Sequence, residues 1–343
     1  MKFVVDDYIP FIKGVLEPFG NVVYAVPDDI TPELVKDADA LLVRTRTRID
    51  RELLSGSSCK FVATATIGMD HFDVEWCRKN GVYLCNAPGC NAPAVAQYVF
   101  ATIARLSVLK PEDTTIGIVG VGNVGRIVER WAKGMGMKVL AVDPPRQEHE
   151  AGAEWHTLED VAAEADVITF HTPLVKGGKY PTYHLAGEAF FDRLAKKPVI
   201  INASRGPVVD NMAWLDAVRN QKTSASAVDV WEGEPMINLD LLDAADIATP
   251  HIAGYSLDGK IRATQMVLDS LSRHFGLPEL RADSREAGQI PDAPSMKQIA
   301  NSYNPFADTE IMRAALSRAH PDAQRRIIFE ALRDNYNLRE EVH

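Results

Sequence analysis

The chain has 343 residues, 46% of them hydrophobic and 24% charged, which is typical of globular proteins with about two or three domains. Its 37 lysines and arginines against 47 aspartates and glutamates leave a net charge of −10, which argues against a general surface for nucleic acids or anionic membranes. No apolar stretch reaches membrane-spanning length, no export signal opens the chain, and the four cysteines form no C-x-x-C pair. We therefore expect a cytoplasmic protein without a metal site, whose partners include neither nucleic acid nor membrane.

The first ninety residues alternate between short apolar runs and helix-like segments. Strands are predicted at residues 2–5, 21–26, 40–43, 60–65 and 82–84. Helices are predicted at residues 8–19, 31–37 and 70–80. Such an alternation predicts a parallel sheet covered by helices. Residues 86–91 interrupt it, and the long apolar segment that follows, residues 92–109, is typical of a buried helix.

Three alternating arginines, Arg44, Arg46 and Arg48, follow the third predicted strand, with Thr45 among them. If the strand continues, alternate residues share one face, so three cations would crowd one side of a strand end in an acidic protein. A substrate phosphate would offset their repulsion through charge-assisted hydrogen bonds, with Thr45 as a further donor. The alternative is a solvated loop whose arginines pair with nearby acids.

A glycine-rich loop with the spacing G-x-G-x-x-G follows a strand-like run, residues 116–119. Gly120 permits a sharp turn into a helix, Gly122 permits close approach of a pyrophosphate, and Gly125 permits the helix to pack on the sheet. The N–H groups of the helix start, which includes Asn123 and Val124, are suited to bind the anion. This loop predicts a dinucleotide-binding site.

The segment after the loop supports this interpretation, because it continues as a helix-like stretch, residues 123–135, and a second apolar run, residues 138–142. That run ends in Asp143, roughly where such sites carry the carboxylate that binds the adenosine ribose. A carboxylate there would repel an added 2′-phosphate, which favours NAD over NADP. Arg146 leaves NADP open, because a guanidinium binds phosphate.

Four further strands are each followed by residues able to carry chemistry. The strands are predicted at residues 167–170, 199–202, 225–228 and 246–248. The residues that follow them are, in order, His171 with Thr172, Ser204 with Arg205, the stretch from Asp229 to Glu234, and His251. Ligands of an open parallel sheet lie outside the carboxyl ends of its strands, so we expect these groups to converge on one crevice.

An arginine, a glutamate and a histidine suffice to oxidise or reduce an alcohol beside a carboxylate. We expect Arg205 to bind that carboxylate bidentately and His251 to take the hydroxyl proton during oxidation. Glu234 would orient and support the imidazolium that forms. Each residue by itself has an equally good structural explanation. Arg205 is also typical of a surface ion pair, Glu234 of a solvated loop charge, and His251 of a satisfied histidine at a strand end. Their placement after successive strands is what favours catalysis.

The C-terminal part begins with a helix-like segment, residues 258–275, and continues as a polar, turn-rich stretch, residues 281–305. Two more helices are predicted at residues 308–319 and 322–335. Their apolar face needs a partner surface, and it includes Ile327, Ile328, Ala331 and Leu332. We expect a second subunit of a homodimer to cover this face. The alternative is a helical pair folded onto its own chain.

Four stretches of the sequence match a known family. They are the glycine loop from Gly120 to Gly125, N-A-S-R-G from Asn202 to Gly206, D-V-W-E-G-E-P from Asp229 to Pro235, and T-P-H-I-A-G from Thr249 to Gly254. From residue 1 to about residue 277, the chain resembles the D-isomer-specific 2-hydroxyacid dehydrogenases. The closest likeness is to members that oxidise 4-phospho-D-erythronate in pyridoxal 5′-phosphate biosynthesis. This likeness rests on T-A-T-I-G-M-D-H at 64–71, A-P-G-C-N-A at 87–92, D-P-P-R at 143–146 and H-I-A-G-Y-S at 251–256.

The resemblance implies that the catalytic residues are Arg205, Glu234 and His251. It implies contacts with NAD from Asp143, Thr172, Asp229 and Gly254, and we assign Ala203 and Ser204 to the same site. Substrate contacts are implied for Thr45, Thr66 and Tyr255, to which we add Arg44 and Arg46. The tail after residue 277 looks shorter than is usual for such enzymes, which puts the usual dimerisation domain in question.

We therefore expect an α/β protein with two doubly wound parallel-sheet domains. A flavodoxin-like substrate domain would comprise residues 1–90 and 256–280, and a Rossmann NAD domain residues 91–255, followed by a dimerisation segment, residues 281–343. The expected reaction is NAD-dependent oxidation of 4-phospho-D-erythronate to 2-oxo-3-hydroxy-4-phosphobutanoate. The alternatives are a dehydrogenase of another D-2-hydroxy acid, such as 3-phosphoglycerate, and an NAD-sensing binding protein similar to the co-repressors of this fold.

Overall fold

The structure is a computed structural model that describes residues 1–107, 109–150, 152–283 and 287–343. The chain forms two compact units, and the first comprises Met1–Asn91 and Ser256–Gly288. The second comprises Ala92–Tyr255 and Gln289–His343, so most of the predicted C-terminal segment belongs to this unit. Val108 of the predicted helix at residues 92–109, and residues 284–286 of the predicted tail, lie outside the described residues.

The described strands and helices alternate through most of the chain. In chain order, the strands are β1 (Lys2–Asp6), β2 (Asn21–Ala25), β3 (Ala40–Val43), β4 (Phe61–Thr64), β5 (Tyr83–Cys85), β6 (Thr115–Val119), β7 (Lys138–Val142), β8 (Val167–Phe170), β9 (Val199–Asn202), β10 (Ala225–Val228) and β11 (Ile247–Ala248). The helices are α1 (Pro32–Val35), α2 (Arg51–Leu54), α3 (Val74–Lys79), α4 (Ala92–Leu106), α5 (Asn123–Gly134), α6 (Pro144–Gln147), α7 (Leu158–Glu164), α8 (Glu188–Asp192), α9 (Asn211–Arg219), α10 (Leu239–Ala244), α11 (Leu257–Phe275), α12 (Met296–Ser302), α13 (Pro305–Ala315) and α14 (Asp322–Asp334). None of the helices that the structure describes combines the length and apolar composition needed to cross a membrane.

Five parallel strands form the sheet of the first unit in the flavodoxin-like order β2-β1-β3-β4-β5. Because successive side chains of a strand point to opposite faces, this sheet builds two cores. Phe3 and Leu42 lie in one core together with Leu268 of α11, and Val4 and Leu41 lie in the other. Strands that are buried on both faces read as continuous apolar runs, which is why the sequence pattern located them.

The helix predicted at residues 8–19 is wrong. The chain forms turns there, with left-handed backbone at Phe11 (φ 61°) and Gly14 (φ 86°), and a single 3-10 turn at Glu17–Phe19. Pro10 lacks the N–H that a helix interior requires, and glycine is a poor helix former. The apolar residues of this segment pack against the sheet from a loop instead.

The second unit contains a six-stranded parallel sheet in the order β11-β10-β9-β8-β6-β7. From β6 the chain runs outward to β7 and then returns to the other side of β6 at β8. The sheet is therefore doubly wound, and its topological switch point lies between β6 and β8. Ligands bind at the carboxyl ends of the strands beside such a point.

Two cores cover this second sheet. On one face, α4 packs with α5, where the rings of Phe100 and Trp131 lie 5.8 Å apart between centroids. Helix α4 is almost wholly buried because it is apolar on all sides. On the other face, Phe170 and Trp214 are fully buried.

The C-terminal helices α12, α13 and α14 pack within the second unit. Met312 and Phe329 are fully buried in its core, and Thr309 Oγ1 accepts a hydrogen bond from Ala248 N of the edge strand β11 at 3.0 Å. The segment thus has contacts of the kind expected from a helical pair folded onto its own chain. Ile327 remains 67% exposed, and its contact with a second subunit stays a prediction.

Candidate active site

The glycine loop lies at the switch point of the second sheet, between β6 and α5. Gly120 has a φ of 92°, and a Cβ there would lie 2.8 Å from backbone atoms of His171 and Thr172. A Cβ at Gly125 would lie 2.1 Å from the carbonyl oxygen of Gly120. At Gly122, by contrast, nothing lies within 4 Å of the Cβ position. The loop therefore pairs close backbone packing with open space at the helix start, which fits the pyrophosphate of NAD.

Asp143 follows β7, and its carboxylate bonds to the glycine loop. Oδ2 accepts a hydrogen bond from Val121 N at 2.8 Å, and Oδ1 accepts one from Arg146 N at 3.1 Å. These bonds fix the carboxylate and leave further lone pairs for ribose hydroxyls. The Arg146 guanidinium donates to Val121 O at 2.7 Å and to both oxygens of Glu150 at 2.8 and 2.5 Å. Because Glu150 occupies the fork that a 2′-phosphate would need, the geometry favours NAD over NADP.

Two buried polar atoms without a partner in the described part of the chain follow β8: Thr172 Oγ1 and His171 Nδ1. The other ring nitrogen of His171 lies 3.0 Å from Thr169 Oγ1. Burial lowers the pKa of His171 to about 3, so its ring is neutral at physiological pH. A buried hydroxyl without a partner is costly unless a ligand supplies one, so Thr172 fits the contact with NAD that we predict.

Arg205 lies in the turn after β9, which Asn202 organises. Asn202 Oδ1 accepts hydrogen bonds from Ser204 N and Oγ at 3.1 and 2.8 Å, and its Nδ2 donates to Arg205 O at 3.0 Å. The Arg205 guanidinium donates to Ser204 O at 2.8 Å and pairs with no carboxylate among the residues that the structure describes. Most of its fork is therefore open to an anionic ligand. Contacts of Ala203 and Ser204 with NAD stay predictions.

Glu234 and His251 contact each other directly. Glu234 Oε2 lies 2.8 Å from His251 Nδ1, and Oε1 accepts a hydrogen bond from Trp231 N at 2.8 Å. Burial acts to raise the pKa of Glu234, but the His251 imidazolium and the Trp231 N–H outweigh it and hold this pKa below its usual value. The carboxylate therefore holds the Nδ1 side of the ring and leaves Nε2 as the nitrogen for proton transfer.

His251 has a left-handed backbone with a φ of 59°, which is uncommon for a residue with a side chain. Asp229 supports this conformation. Its buried carboxylate accepts hydrogen bonds from Thr249 Oγ1 at 2.7 Å, Ile252 N at 2.8 Å and Ala253 N at 3.0 Å, and its carbonyl accepts one from His251 N at 2.8 Å. Asp229 thus fixes the loop that carries His251, and its contact with NAD stays a prediction.

Arg339, near the C-terminus, braces the same loop. Its guanidinium donates to the carbonyl oxygens of Ile252 and Tyr255, both at 3.1 Å, and to that of Ala253. Gly254 lies within this loop, and its contact with NAD stays a prediction. Arg339 was not among the predicted site residues, because no motif or spacing relates a residue of the tail to this loop.

Arg333 of α14 is a second C-terminal arginine beside these residues. It hydrogen-bonds to the side chain of Tyr255, lies close enough to Glu234 to stabilise its carboxylate, and has a buried Nε without a partner in the described part of the protein. A buried donor of this kind is suited to a further acceptor, because leaving it unpaired is costly. Tyr255 also packs edge-on against Tyr336, with ring centroids 6.1 Å apart.

The candidate substrate residues of the first unit follow β3 and β4 at the carboxyl edge of its sheet. The prediction that a continuing strand places three arginines on one face is wrong, because β3 ends at Val43 and a turn follows. The chain leaves the sheet so that Ile49 can bridge to Phe72. Arg48 pairs with Asp50 through a 2.9 Å contact between Nε and Oδ2.

The other candidates remain at this edge. Arg44 is half-buried and donates a long hydrogen bond to Tyr8 O at 3.4 Å, whereas Thr45 and Arg46 are exposed. Thr66 is half-buried, and its Oγ1 lies 2.6 Å from Thr64 Oγ1. Their contacts with substrate stay predictions.

Comparison with known proteins identifies relatives of this chain. Residues 95–253 match the family described as D-isomer specific 2-hydroxyacid dehydrogenase, NAD binding domain. The erythronate-4-phosphate dehydrogenase of Bacteroides thetaiotaomicron is 47% identical over 99% of this chain and 97% of its own length. The protein of the same name from Klebsiella pneumoniae is 41% identical over 99% of this chain and 92% of its own length.

A solved structure shows the same architecture. D-lactate dehydrogenase from Aquifex aeolicus, complexed with NAD and lactic acid, superposes with a TM-score of 0.66 and 25% identity, covering 80% of this chain and 96% of its own. The matched NAD-binding domain contains the glycine loop, Asp143, Arg205, Glu234 and His251. The chain belongs, with these relatives, to the D-isomer specific 2-hydroxyacid dehydrogenases, and its second unit carries their NAD-binding domain.

Proposed function

We propose that this chain catalyses the NAD-dependent oxidation of 4-phospho-D-erythronate to 2-oxo-3-hydroxy-4-phosphobutanoate, a step of pyridoxal 5′-phosphate (vitamin B6) biosynthesis. The choice of substrate is supported by relatives named erythronate-4-phosphate dehydrogenase, which are 47% and 41% identical over almost the whole chain. The observation that carries the chemistry is the 2.8 Å contact between Glu234 Oε2 and His251 Nδ1. It supplies a histidine oriented for proton transfer at Nε2.

Oxidation at carbon 2 breaks the C–H and O–H bonds of a secondary alcohol. NAD, held at the glycine loop and Asp143, would supply the acceptor for the hydride of carbon 2. His251 takes the hydroxyl proton at Nε2, and Glu234 stabilises the resulting imidazolium through Nδ1. Arg205 binds the substrate carboxylate with the guanidinium arms that Ser204 O does not occupy, which orients carbon 2 for hydride transfer. The products are the 2-oxo acid, NADH and a proton held by His251.

We assign the phosphate of the substrate to Arg44 and Arg46, with Thr45 and Thr66 as hydroxyl donors. Arg48 is not assigned to the substrate, and its guanidinium pairs with Asp50. Arg44 and Arg46 follow β3, at the carboxyl edge of its parallel sheet. Charge-assisted hydrogen bonds to phosphate are the strong interactions available there.

The test is NADH absorbance with a panel of acids: 4-phosphoerythronate, erythronate, 3-phosphoglycerate and D-lactate. We expect kcat/KM for 4-phosphoerythronate to exceed that for the others by at least about tenfold, which corresponds to about 1.4 kcal/mol. A preference for 3-phosphoglycerate or for an unphosphorylated acid would assign the chain to another D-2-hydroxy acid. Binding of NAD without turnover of any acid would favour a co-repressor-like binding protein.

We also propose that the chain functions as a homodimer through α13 and α14. Ile311 and Ile327 on these helices are 57% and 67% exposed, and Ile311, Ile328 and Leu332 line a groove of about 760 Å³. Large exposed apolar side chains beside an apolar groove are typical of an interface. Sedimentation should show a dimer for the native chain and a monomer for Ile327→Glu. A monomeric native chain would contradict the proposal.

A further inference from the structure

His184 lies between two carboxylates in the second unit. Its Nε2 is 2.6 Å from Glu232 Oε1, and its Nδ1 is 3.3 Å from Asp210 Oδ2. The first contact is a hydrogen bond, and the second is a looser polar contact. The three residues are here called the His184 clamp, because the imidazole joins the two carboxylates.

Each carboxylate of the clamp belongs to a segment that carries a proposed catalytic residue. Asp210 ends the Arg205 segment, residues 203–210, and its Oδ1 accepts hydrogen bonds from the first turn of α9. Glu232 lies two residues before Glu234 in the Glu234 segment, residues 229–236. Asn211 joins the two as well, because its N donates to Glu232 Oε2 at 2.9 Å and its Oδ1 accepts from Glu232 N at 3.1 Å.

The two segments are also in direct backbone contact. A Cβ at Gly206 would lie only 2.0 Å from Trp231 O, so no other residue fits there without moving one segment away from the other. His184 joins this contact through its backbone, because its N donates to Pro207 O at 2.8 Å. Backbone packing at Gly206 and the hydrogen bond of His184 therefore set the spacing between the two segments together.

The backbone of His184 is strained. Its φ of 49° lies in the left-handed region, which is unfavourable for a residue with a side chain. Such conformations persist only where surrounding contacts over-determine them, and they cluster at functional sites. The ring of Tyr183 stacks on the imidazole with centroids 4.0 Å apart and an interplanar angle of 17°, which covers one face of the clamp.

We infer that His184 is a positioning residue for the reaction, whose imidazole clamps the Arg205 segment to the Glu234 segment. This inference rests on the proposed roles of Arg205 and Glu234. The clamp holds Glu232, and through it the Trp231 N–H that orients Glu234, against the turn that presents Arg205. Loss of the clamp would let the carboxylate-binding and proton-transfer groups shift relative to each other.

The test compares His184→Ala, which loses both ring contacts, with His184→Gln, whose amide can still donate to Glu232. The matched control is Arg219→Gln. It breaks the 3.0 Å ion pair with Asp240, which joins α9 to α10, the helices that follow the two segments. Each full-length variant is assayed for kcat and for KM of NAD with 4-phosphoerythronate, and for amide hydrogen exchange over residues 229–236.

We expect His184→Ala to lower kcat on the order of 10- to 100-fold, as misplaced catalytic groups do, with KM for NAD within about twofold. Exchange over residues 229–236 should accelerate, and His184→Gln should recover part of both losses. Arg219→Gln should change neither. Native kcat and exchange in His184→Ala would overturn the inference, as would a His184→Gln variant no better than His184→Ala. If His184→Ala does not fold, Glu232→Gln replaces it, and native kcat and exchange in that variant would overturn the inference equally.

Glu234→Gln, measured in the same assays, separates this inference from the proposed function. Native turnover in Glu234→Gln would show that the catalytic assignment itself fails. Slow turnover in Glu234→Gln together with native turnover in His184→Ala would leave that assignment intact and refute only the clamp.

Discussion

The preference for NAD over NADP should depend on two carboxylates, Asp143 and Glu150. Asp143 is fixed at the glycine loop by Val121 N and Arg146 N, whereas Glu150 binds the guanidinium of Arg146 through both of its oxygens. Replacement of Asp143 with Ala removes the ribose acceptor and the charge that repels a 2′-phosphate. Replacement of Glu150 with Gln releases the cation that could bind this phosphate.

The expected magnitudes follow from these contacts. A hydrogen bond to a charged group contributes about 1.5–3 kcal/mol, so Asp143→Ala should raise the Kd of NAD by about 10- to 150-fold. A carboxylate about 5 Å from a phosphate costs about 3 kcal/mol at an effective dielectric constant of about 20. NADP also loses the hydrogen bond to Asp143 in the variant, but relief of this repulsion offsets that loss. The Kd of NADP divided by the Kd of NAD should therefore fall on the order of 100-fold.

Glu150→Gln by itself should change the ratio of the NADP and NAD dissociation constants less than Asp143→Ala does. The Arg146–Glu150 pair is partly exposed, with side chains 22% and 38% accessible, and water and salt screen such pairs. In the Asp143→Ala background, the released guanidinium should tighten NADP further, by about tenfold.

Binding titrations of both dinucleotides at one ionic strength measure these ratios. Glu164→Gln is the control, because Glu164 pairs with Lys138 at the start of β7, whereas Asp143 follows its end. An unchanged ratio in Asp143→Ala would refute the ribose assignment. A Glu150→Gln effect as large as that of Asp143→Ala would refute the view that Arg146 is held by Glu150.

Three further variants and one control variant test the chemistry. His251→Ala should lower kcat on the order of 10²- to 10⁴-fold with little change in the Kd of NAD, measured by steady-state kinetics and titration. Glu234→Gln should move the acidic limb of kcat/KM for oxidation to lower pH. The native carboxylate, whose pKa is held low by His251 and Trp231 against the effect of burial, stabilises the imidazolium that forms when His251 takes the proton, and the uncharged amide does not. Replacement of Arg44 and Arg46 with Ala should raise KM for the phosphorylated acid far more than for its unphosphorylated analogue, whereas Arg48→Ala should raise neither.

Each of these three predictions has its own refuting result. Near-native turnover of His251→Ala with the same acidic limb would mean that another group carries the proton. An acidic limb that moves to higher pH in Glu234→Gln would reverse the sign of the electrostatic argument. Equal effects of the Arg44 and Arg46 replacements on both acids would remove the phosphate assignment.

Several features of the site could be predicted because they depend on short-range pattern. The glycine spacing specifies a backbone that only glycine allows, and a Cβ at Gly120 or Gly125 would clash with neighbouring backbone. The pairing of Glu234 with His251 followed from their position after successive strands of one parallel sheet, whose carboxyl ends share an edge. The resemblance to a known family supported the same residues.

Other features could not be predicted, because the sequence pattern does not reveal long-range partners. Arg333 and Arg339 lie in a tail that we expected to face another subunit, yet they contact Tyr255 and its loop in their own chain. Arg44 and Arg46 alternate as in a strand, but the chain turns after Val43.

The sequence by itself determined the fold class, the strands and the residues at their carboxyl ends, because apolar periodicity and glycine spacing are local properties of the chain. Only the tertiary structure decided which distant groups meet. Arg339 fixes the loop of His251, and His184 bridges two carboxylates. The energy of each of these contacts depends on distance and burial in three dimensions, which follow from the packing of the whole unit.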